Sequence, residues 1–166
     1  MGDDVAMEIY ATTMSTPIGQ ALLVGRDGSL TGLYLDRDAN PAWEPDEGRL
    51  DEVRSQITEY FDGDRKEFDL PLAPVGTPFQ LSVWSALLEI GYGETASYAD
   101  IARRIDKPTA YRAVGAANGR NPISLIVPCH RVIGASGALV GYGWGVDRKA
   151  WLLAHEQGQR DLQLAL

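Results

Sequence analysis

The chain has 166 residues, 45% of them hydrophobic, and carries a net charge of −8 at neutral pH. That length allows one good core, or two small domains that share an interface. No apolar stretch reaches the roughly 18 residues that a membrane-spanning helix needs, and the first residues lack the basic start of a signal peptide. These features exclude a helical membrane protein and predict a cytoplasmic one.

The acidic excess is confined to the first part of the chain. Residues 1–70 carry 16 acidic and 6 basic side chains, whereas residues 71–166 carry 7 and 9. Five cations fall within 18 residues of the second part: Arg103, Arg104, Lys107, Arg112 and Arg120. Such a run is usually a solvated face, but a locally basic half beside an acidic one is also typical of a DNA-binding footprint.

The first 70 residues predict a small antiparallel sheet followed by one helix. Strands are predicted at 7–11, 21–24 and 30–35, with a turn at 16–19, a hairpin turn at 25–28 and a loop at 38–45. An amphipathic helix is predicted from residue 50 to about 62. Apolar side chains recur there every three or four positions, at Leu50, Val53, Ile57, Tyr60 and Phe61.

Residues 71–76 predict a linker, because two prolines and a glycine interrupt the pattern there. We therefore predict an N-terminal domain at 1–70 and a C-terminal domain at 77–166. A helix should begin at Thr77, the N-cap, with Gln80 placed to close a capping box. It should run to about residue 90 with five side chains facing inward: Phe79, Val83, Trp84, Leu87 and Leu88.

Two shorter helices are predicted next. Ser97 begins the first, with Asp100 placed for a second capping box, and the other spans about 109–117. Two short helices joined by a tight turn, with arginines on both, fit a helix-turn-helix, although many helical hairpins bind nothing. The second helix is rich in Ala and Gly, which suits either close approach to a DNA groove or close packing against a neighbouring helix.

Cys129 is the only cysteine in the chain. A lone thiol cannot form an intramolecular disulfide or a cysteine-rich zinc site, so it is either an inert buried residue or a nucleophile. Apolar stretches at 123–127 and 131–133 predict flanking strands, and Pro128 ends the first of them. We expect the Cys-His-Arg segment 129–131 to be exposed at this turn, where neighbouring positive charge favours the thiolate.

The last predicted helix begins with Asp147 as its cap and ends at Gly158. Glu156 lies one helical turn after Leu152, so its carboxylate can face the core, although a solvent-exposed position is the alternative. Before this helix, residues 134–145 form a glycine-rich loop that contains two aromatic side chains, Tyr142 and Trp144.

Six motifs stand in order along the second half: Thr77-Pro78-Phe79-Gln80, Gly93-Glu94 with Ser97-Tyr98, Arg112-Ala113-Val114-Gly115, Asn121-Pro122, Pro128-Cys129-His130-Arg131-Val132-Ile133-Gly134 and Leu152-Leu153-Ala154-His155-Glu156. Together they resemble the O6-alkylguanine-DNA alkyltransferases, or methylated-DNA–protein-cysteine methyltransferases. The resemblance covers residues 77–158, while the first half is similar only in size and in strand–helix order. It implies an α/β two-domain fold whose mostly helical C-terminal domain holds a helix-turn-helix and an active-site cysteine turn.

The resemblance implies that Cys129 attacks the alkyl carbon on guanine O6 and keeps the group as a thioether. Each molecule would therefore act once. Attack requires the thiolate, which is a small fraction of a free thiol at neutral pH. Adjacent residues of an extended chain point to opposite sides, so direct contact between Cys129 and His130 is not assured. In the family a water joins them, Glu156 orients the imidazole, and Asn121 braces the turn.

The resemblance also implies that the protein binds double-stranded DNA through the minor groove and flips the target nucleotide out. Arg112 would fill the vacated stack, and Tyr98 would press on the target phosphate and donate to guanine N3. Ser97 and Ala113 complete the expected DNA-binding set. Arg131 is expected to be a structural or phosphate-facing cation.

The implied guanine pocket uses backbone groups: the Cys129 and Val132 carbonyls for the exocyclic amine, and the Gly143 amide for O6. Tyr142 would form a wall. Trp144 stands where many members have Gly, and it should narrow the pocket against bulky adducts such as benzyl. One Cys and two His cannot form the zinc site of some members. We predict no cofactor, no metal and a monomer.

Two other functions remain open from the residues alone. One is a damage-recognition module that binds alkylated DNA without chemistry, although members of that kind replace the cysteine. The other is a thiol hydrolase that uses Cys129, His130 and Glu156 as a triad. A hydrolase would turn over many substrate molecules, whereas each alkyltransferase molecule is consumed by one alkyl group.

Overall fold

The computed structural model describes residues 8–139 and 142–159, and the chain falls into two compact units that divide between Pro74 and Val75. This division lies within the predicted linker. The beginning of that segment nevertheless belongs to the first unit, because the Ala73 amide donates to the Leu30 carbonyl at 2.9 Å. In the described ranges, every helix is too short or too polar to cross a membrane.

The first unit is a four-stranded sheet with one helix. Its elements are β1 (Ile9–Thr16), β2 (Gly19–Arg26), β3 (Ser29–Leu35), β4 (Glu44–Pro45) and α1 (Asp51–Phe61), and the strand order is β3-β2-β1-β4. The first three strands are antiparallel, as predicted, but β4 pairs parallel with β1. The sheet is therefore mixed, and the end of the predicted 38–45 loop is a strand too short to show alternation in the sequence.

The strands extend beyond their predicted ends because the connecting turns are tight. Only Asp27 and Gly28 separate β2 from β3, and their φ angles are 52° and 79°. Two consecutive positive φ angles are typical of a type I′ turn, whose twist matches that of antiparallel strands. The predicted helix is confirmed as α1, with Val53, Ile57 and Tyr60 buried in the core of this unit.

The second unit is mostly helical. It contains α2 (Pro78–Leu87), α3 (Tyr98–Arg104), α4 (Tyr111–Gly119) and α5 (Val146–Glu156), with β5 (Ala96–Ser97) paired parallel with β6 (Val132–Ile133). Both capping boxes are confirmed. The Gln80 and Asp100 amides donate to the hydroxyls of Thr77 and Ser97 at 3.1 and 3.0 Å. In return, the side-chain oxygens of Gln80 and Asp100 accept from the Thr77 and Ser97 amides.

Several predicted helix boundaries are wrong by one turn or less. α2 ends at Leu87, and Leu88 is 52% exposed instead of facing inward. α4 begins two residues late because the Ala110 amide first closes a turn onto the Lys107 carbonyl at 2.9 Å. Asp147 does not cap α5: the N-cap is Gly145, whose φ of 93° favours glycine.

The cysteine segment differs most from its predicted structure. Residues 123–127 form no regular strand, and Cys129–Arg131 is a turn of 3₁₀ helix rather than an exposed turn between strands. All three residues of this turn are buried, with exposures of 2% for Cys129, 0% for His130 and 7% for Arg131. The argument from extended geometry, that the side chains of Cys129 and His130 point to opposite sides, therefore does not apply.

Candidate active site and DNA-binding surface

The cysteine turn is held in place by two asparagines. The Asn121 side chain donates to the Val127 carbonyl at 2.8 Å and accepts from the Ile123 amide at 3.0 Å. Asn118, at the end of α4, donates to the Cys129 carbonyl at 3.3 Å. Side-chain hydrogen bonds thus replace the ladder that a strand would have used, because buried backbone groups require partners. Because Asn118 belongs to α4, its hydrogen bond also joins the cysteine turn to that helix.

Cys129 lies in an environment that opposes ionisation. Burial raises the pKa of its thiol, while hydrogen bonds from Asn121 and Ser124 and the charge of Lys149 lower it without cancelling the effect of burial. The thiol is therefore mainly protonated at neutral pH, contrary to the expectation of a turn that favours the thiolate. A nucleophile at this position needs a base and donors that act at the moment of reaction.

His130, Glu156 and Arg131 form a buried cluster. His130 Nε2 is 2.7 Å from Glu156 Oε2, and Arg131 reaches the same carboxylate through Nε to Oε1 at 2.8 Å and Nη2 to Oε2 at 3.1 Å. Arg131 Nη1 also donates to the Ile90 carbonyl at 2.7 Å. Of the two positions considered for Glu156, core-facing and solvent-exposed, the structure shows the core-facing one. Arg131 is a structural cation.

In this cluster Glu156 is ionised and His130 is neutral. Burial disfavours the charged form of Glu156, but hydrogen bonds and charge from His130 and Arg131 outweigh it and hold the pKa of Glu156 well below its usual range. Burial lowers the pKa of His130 despite the opposing influence of Glu156. His130 is thus neutral at pH 7, and because a carboxylate only accepts hydrogen bonds, Nε2 carries the proton.

The other ring nitrogen of His130 is left as an acceptor. Nδ1 is buried and has no hydrogen-bond partner in the part of the chain that the structure describes. Within those residues no hydrogen bond joins it to Cys129, whose sulfur is instead 3.7 Å from Ser124 Oγ. A neutral imidazole with a free, buried lone pair beside a thiol turn has the protonation state of a general base.

Lys149 is the unexpected member of the site. Its side chain is fully buried on α5 and its ammonium donates to the Val132 carbonyl. Burial lowers the pKa of Lys149, and the negative charge of an ionised Cys129 raises it again. The Val132 carbonyl, one of the predicted guanine acceptors, therefore already accepts one hydrogen bond.

The predicted DNA-binding side chains lie on α3 and α4. Arg112 and Ala113 are exposed at the start of α4, and Tyr111, 48% exposed, has its ring 6.0 Å from the Arg112 guanidinium carbon. Ser97 and Tyr98 are half-buried at the start of α3. Burial raises the pKa of Tyr98, and so does the charge of an ionised Cys129, so the phenol keeps its proton as a donor.

α4 approaches α3 closely at Gly115. A Cβ at Gly115 would lie 3.7 Å from the Tyr98 ring, so the small side chains of α4 already serve helix packing on one face. Ala113 and Ala116 remain exposed on another face. The structure thus supports close packing for one side of this slim helix and leaves the other side accessible to a ligand.

The predicted pocket loop is partly described, since residues 140 and 141 lie outside the described ranges. Tyr142 and Trp144 form an edge-to-face pair with ring centroids 5.9 Å apart, and Gly143 between them is exposed. The Tyr142 hydroxyl is buried and has no partner among the described residues. Burial, followed by the charges of Cys129 and Glu156, raises its pKa well above the ordinary value.

Sequence reasoning missed three polar residues of this site: Asn118, Ser124 and Lys149. Lys149 was detectable, because Lys149, Leu152 and Glu156 fall at positions i, i+3 and i+7 of α5 and so share one face. Ser124 was not, since the apolar residues around it predicted a strand. Asn118 falls just after the predicted 109–117 helix, and nothing in the sequence indicated that its side chain bonds the cysteine turn.

Comparison with known proteins identifies the fold. Family models of the 6-O-methylguanine DNA methyltransferases match both units, the ribonuclease-like domain over residues 9–74 and the DNA binding domain over 78–158. A crystal structure of Mycobacterium tuberculosis OGT in complex with DNA is similar with a TM-score of 0.85 and 49% identity, covering 90% of this chain and 93% of that one. These matches define a two-unit protein of the DNA methyltransferase class.

Curated relatives agree. The methylated-DNA–protein-cysteine methyltransferase of Mycobacterium leprae is 50% identical over 155 residues, which cover 91% of this chain and 94% of the relative. That of Methanosarcina mazei is 49% identical and covers 90% and 98%. The chain belongs to the O6-methylguanine DNA methyltransferase family. The resemblance inferred from six motifs is confirmed, and it extends to the first unit, where the sequence offered only size and element order.

Proposed function

We propose that this protein repairs DNA by direct reversal, with Cys129 as the acceptor of the alkyl group from O6-methylguanine, and by extension O4-methylthymine, in a duplex. The observation that carries the proposal is the buried thiol beside a neutral imidazole, which is itself fixed by Glu156 at 2.7 Å. Family membership gives the reaction class, and this cluster supplies the chemistry that a thiol of raised pKa needs.

In the proposed reaction the sulfur of Cys129 forms a bond to the alkyl carbon, the carbon–O6 bond breaks, and its electron pair goes to guanine. His130 receives the thiol proton at Nδ1. Because no direct hydrogen bond joins the two side chains in the described chain, we propose that one water carries the proton between them. Guanine takes up one proton and the imidazolium of His130 gives one up, so the overall reaction neither consumes nor releases a proton.

Glu156 and Asn121 act through these two groups. A carboxylate that accepts from Nε2 holds the imidazole in the tautomer that leaves Nδ1 free, and it stabilises the imidazolium that forms. Asn121 fixes the turn by bonding Val127 and Ile123, which keeps the sulfur at one position. The product is a thioether, which is not hydrolysed under mild conditions, so each molecule is used once.

We propose that α4 enters the minor groove and that Arg112 fills the gap left by the flipped nucleotide. Support comes from the exposure of Arg112 at the start of α4 and from the small exposed side chains of Ala113 and Ala116. Tyr98, with a raised pKa, would donate to the target nucleotide beside Ser97. A flipped guanine would then meet the Cys129 and Val132 carbonyls, the Gly143 amide and the Tyr142–Trp144 pair.

The deciding experiment uses duplex DNA that carries O6-methylguanine labelled in the methyl group. Label should appear on the protein up to one equivalent, and Cys129→Ala and Cys129→Ser should accept none. Catalytic release of label into solution would identify a thiol hydrolase instead, and binding without transfer would identify a recognition module. We also propose a monomer that acts in the cytoplasm; a mass of two chains by light scattering would contradict the first point.

A further inference from the structure

We propose that Ser124 is a further catalytic residue, whose hydroxyl is a hydrogen-bond donor that stabilises the Cys129 thiolate. This inference rests on the proposed function, since it concerns the same thiol. Ser124 Oγ is 3.7 Å from Cys129 Sγ, within the range of hydrogen bonds to sulfur. Both residues are buried, at 8% and 2% exposure, so water does not compete freely for the contact.

The backbone before the thiol turn is shaped to bring Ser124 to the sulfur. Leu125 has a φ of 79°, a value that a branched side chain rarely adopts. The Val127 amide donates to the Ile123 carbonyl at 3.0 Å across this bend. Strain of this kind persists only where surrounding bonds impose it, and it is concentrated at functional sites. Here the bend folds residues 123–127 back, so that the hydroxyl of Ser124 meets the sulfur five residues later.

The hydroxyl has a second acceptor, which makes it suitable for both states of the thiol. Ser124 Oγ is 3.4 Å from the Asn121 carbonyl. While Cys129 is protonated, its S–H donates to Ser124 Oγ and the hydroxyl donates to that carbonyl. When the thiol proton leaves, the hydroxyl rotates and donates to the sulfur. The buried hydroxyl and the sulfur therefore keep a hydrogen bond to each other in both states.

Ser124 acts together with two other groups that favour the thiolate, the Asn121 amide and the Lys149 charge. His130 makes no hydrogen bond to the sulfur in the described chain and, as the base, presents a lone pair rather than a proton. The Lys149 ammonium donates to the Val132 carbonyl. Asn121 lowers the pKa of the thiol more than Ser124 does, with one N–H of its amide donating to Val127 at 2.8 Å and the other left for the sulfur. Hydrogen bonds to a charged acceptor are roughly twice as strong as neutral ones, so a hydroxyl that turns from the Asn121 carbonyl to the sulfur favours the thiolate.

Ser124 keeps its own proton throughout. The thiol proton leaves through His130, and the sulfur ends the reaction as a neutral thioether, a weak acceptor, after which the hydroxyl returns to the Asn121 carbonyl. The expected effect of losing the hydroxyl is therefore on the acidity of the thiol, not on the stoichiometry of transfer. This separates the proposal from the proposed function itself.

The test compares Ser124→Ala with wild type, and Ser124→Val with Ser124→Thr, a pair of equal size of which only Thr has the hydroxyl. Two quantities are measured between pH 6 and 10: the single-turnover rate of methyl transfer from duplex DNA, and the rate of Cys129 alkylation by iodoacetamide. Loss of the hydroxyl should raise the apparent pKa of Cys129 by about one pH unit, which lowers both rates about tenfold at pH 7. At high pH the thiol is ionised with or without the hydroxyl. The rates of Ser124→Ala should then approach those of wild type, and the rates of Ser124→Val those of Ser124→Thr.

Several results would overturn the proposal. One is an unchanged thiol pKa in Ser124→Ala, and another is a loss of rate that is equal at every pH, which indicates packing alone. If the Ala variant does not fold, the Thr and Val variants provide the test. Equal thiol pKa values in that pair would also overturn the proposal. Failure of the wild type to accept any methyl group would instead remove the proposed function.

Discussion

Arg131 and Glu156 form a two-point ion pair inside the second unit, with Nε–Oε1 at 2.8 Å and Nη2–Oε2 at 3.1 Å. Glu156 Oε2 is also the atom that holds His130. The permanent charge of Arg131 therefore keeps Glu156 ionised while His130 remains neutral. Without Arg131, this buried His–Glu pair could take up a second proton, either on the carboxylate or on the imidazole; the guanidinium charge lowers the pKa of both groups and opposes both protonations.

Arg131→Met should destabilise the protein by about 3 kcal/mol or more, because it leaves a buried carboxylate without its permanent counter-charge. It also removes the donor to the Ile90 carbonyl. The measurement is the free energy of unfolding from urea titration at pH 7. Arg103→Met is the matched control: Arg103 pairs with Asp100, but its side chain is 61% exposed, so its loss should cost under about 1 kcal/mol. Equal costs for the two variants would contradict a special role of the buried pair.

The depressed pKa of Glu156 predicts how stability depends on pH. Because the folded pKa lies below the unfolded value of about 4.3, the carboxylate contributes stability that is fully present above that value. This contribution is lost as the pH falls towards the folded pKa. Between pH 5 and pH 3, the free energy of unfolding of the wild type should therefore fall more steeply than that of Glu156→Gln. Parallel curves over this interval would show that Glu156 titrates normally.

Arg112→Ala should slow methyl transfer from duplex DNA roughly ten- to a hundredfold. Extrusion of the target base costs a few kcal/mol, and the Arg112 side chain offsets part of that cost by filling the vacated stack. Reaction with the free base O6-benzylguanine should be largely unchanged, since no stack has to be opened. Arg120→Ala, exposed just after the same helix, serves as a control for general loss of positive charge. An equal loss of rate on duplex and free base would show that Arg112 does not act by filling the vacated stack.

The sequence predicted the helical frame of the second unit well because its signals are local. Thr77 and Ser97 each begin a capping box within four residues, and both were found where expected. The face of α5 that carries Glu156 follows from helical periodicity. These features depend on the spacing of neighbouring residues, which a sequence displays directly.

The cysteine turn could not be predicted in the same way. The residues Ile123–Val127 have strand-like composition, but the Asn121 side chain satisfies their backbone and Leu125 bends at positive φ. Burial of His130 and Arg131 depends on Glu156, 25 or more positions away, because its carboxylate pairs with both polar side chains. The contact of Ser124 with the sulfur follows from that bend, so composition gave no signal for it.

Trp144→Gly should widen the range of adducts that the protein accepts. The Trp144 ring is half-buried and packs edge-to-face on Tyr142 at 5.9 Å, so its loss leaves space beside the proposed base wall. Inactivation by O6-benzylguanine should then require roughly tenfold less reagent, equivalent to about 1.4 kcal/mol, while methyl transfer from duplex DNA stays near its wild-type rate. Trp144→Phe, which keeps an aromatic ring of smaller size, should give an intermediate result. If neither variant changes the reaction with the benzyl adduct, Trp144 does not limit the pocket, and its pairing with Tyr142 serves only to order the loop.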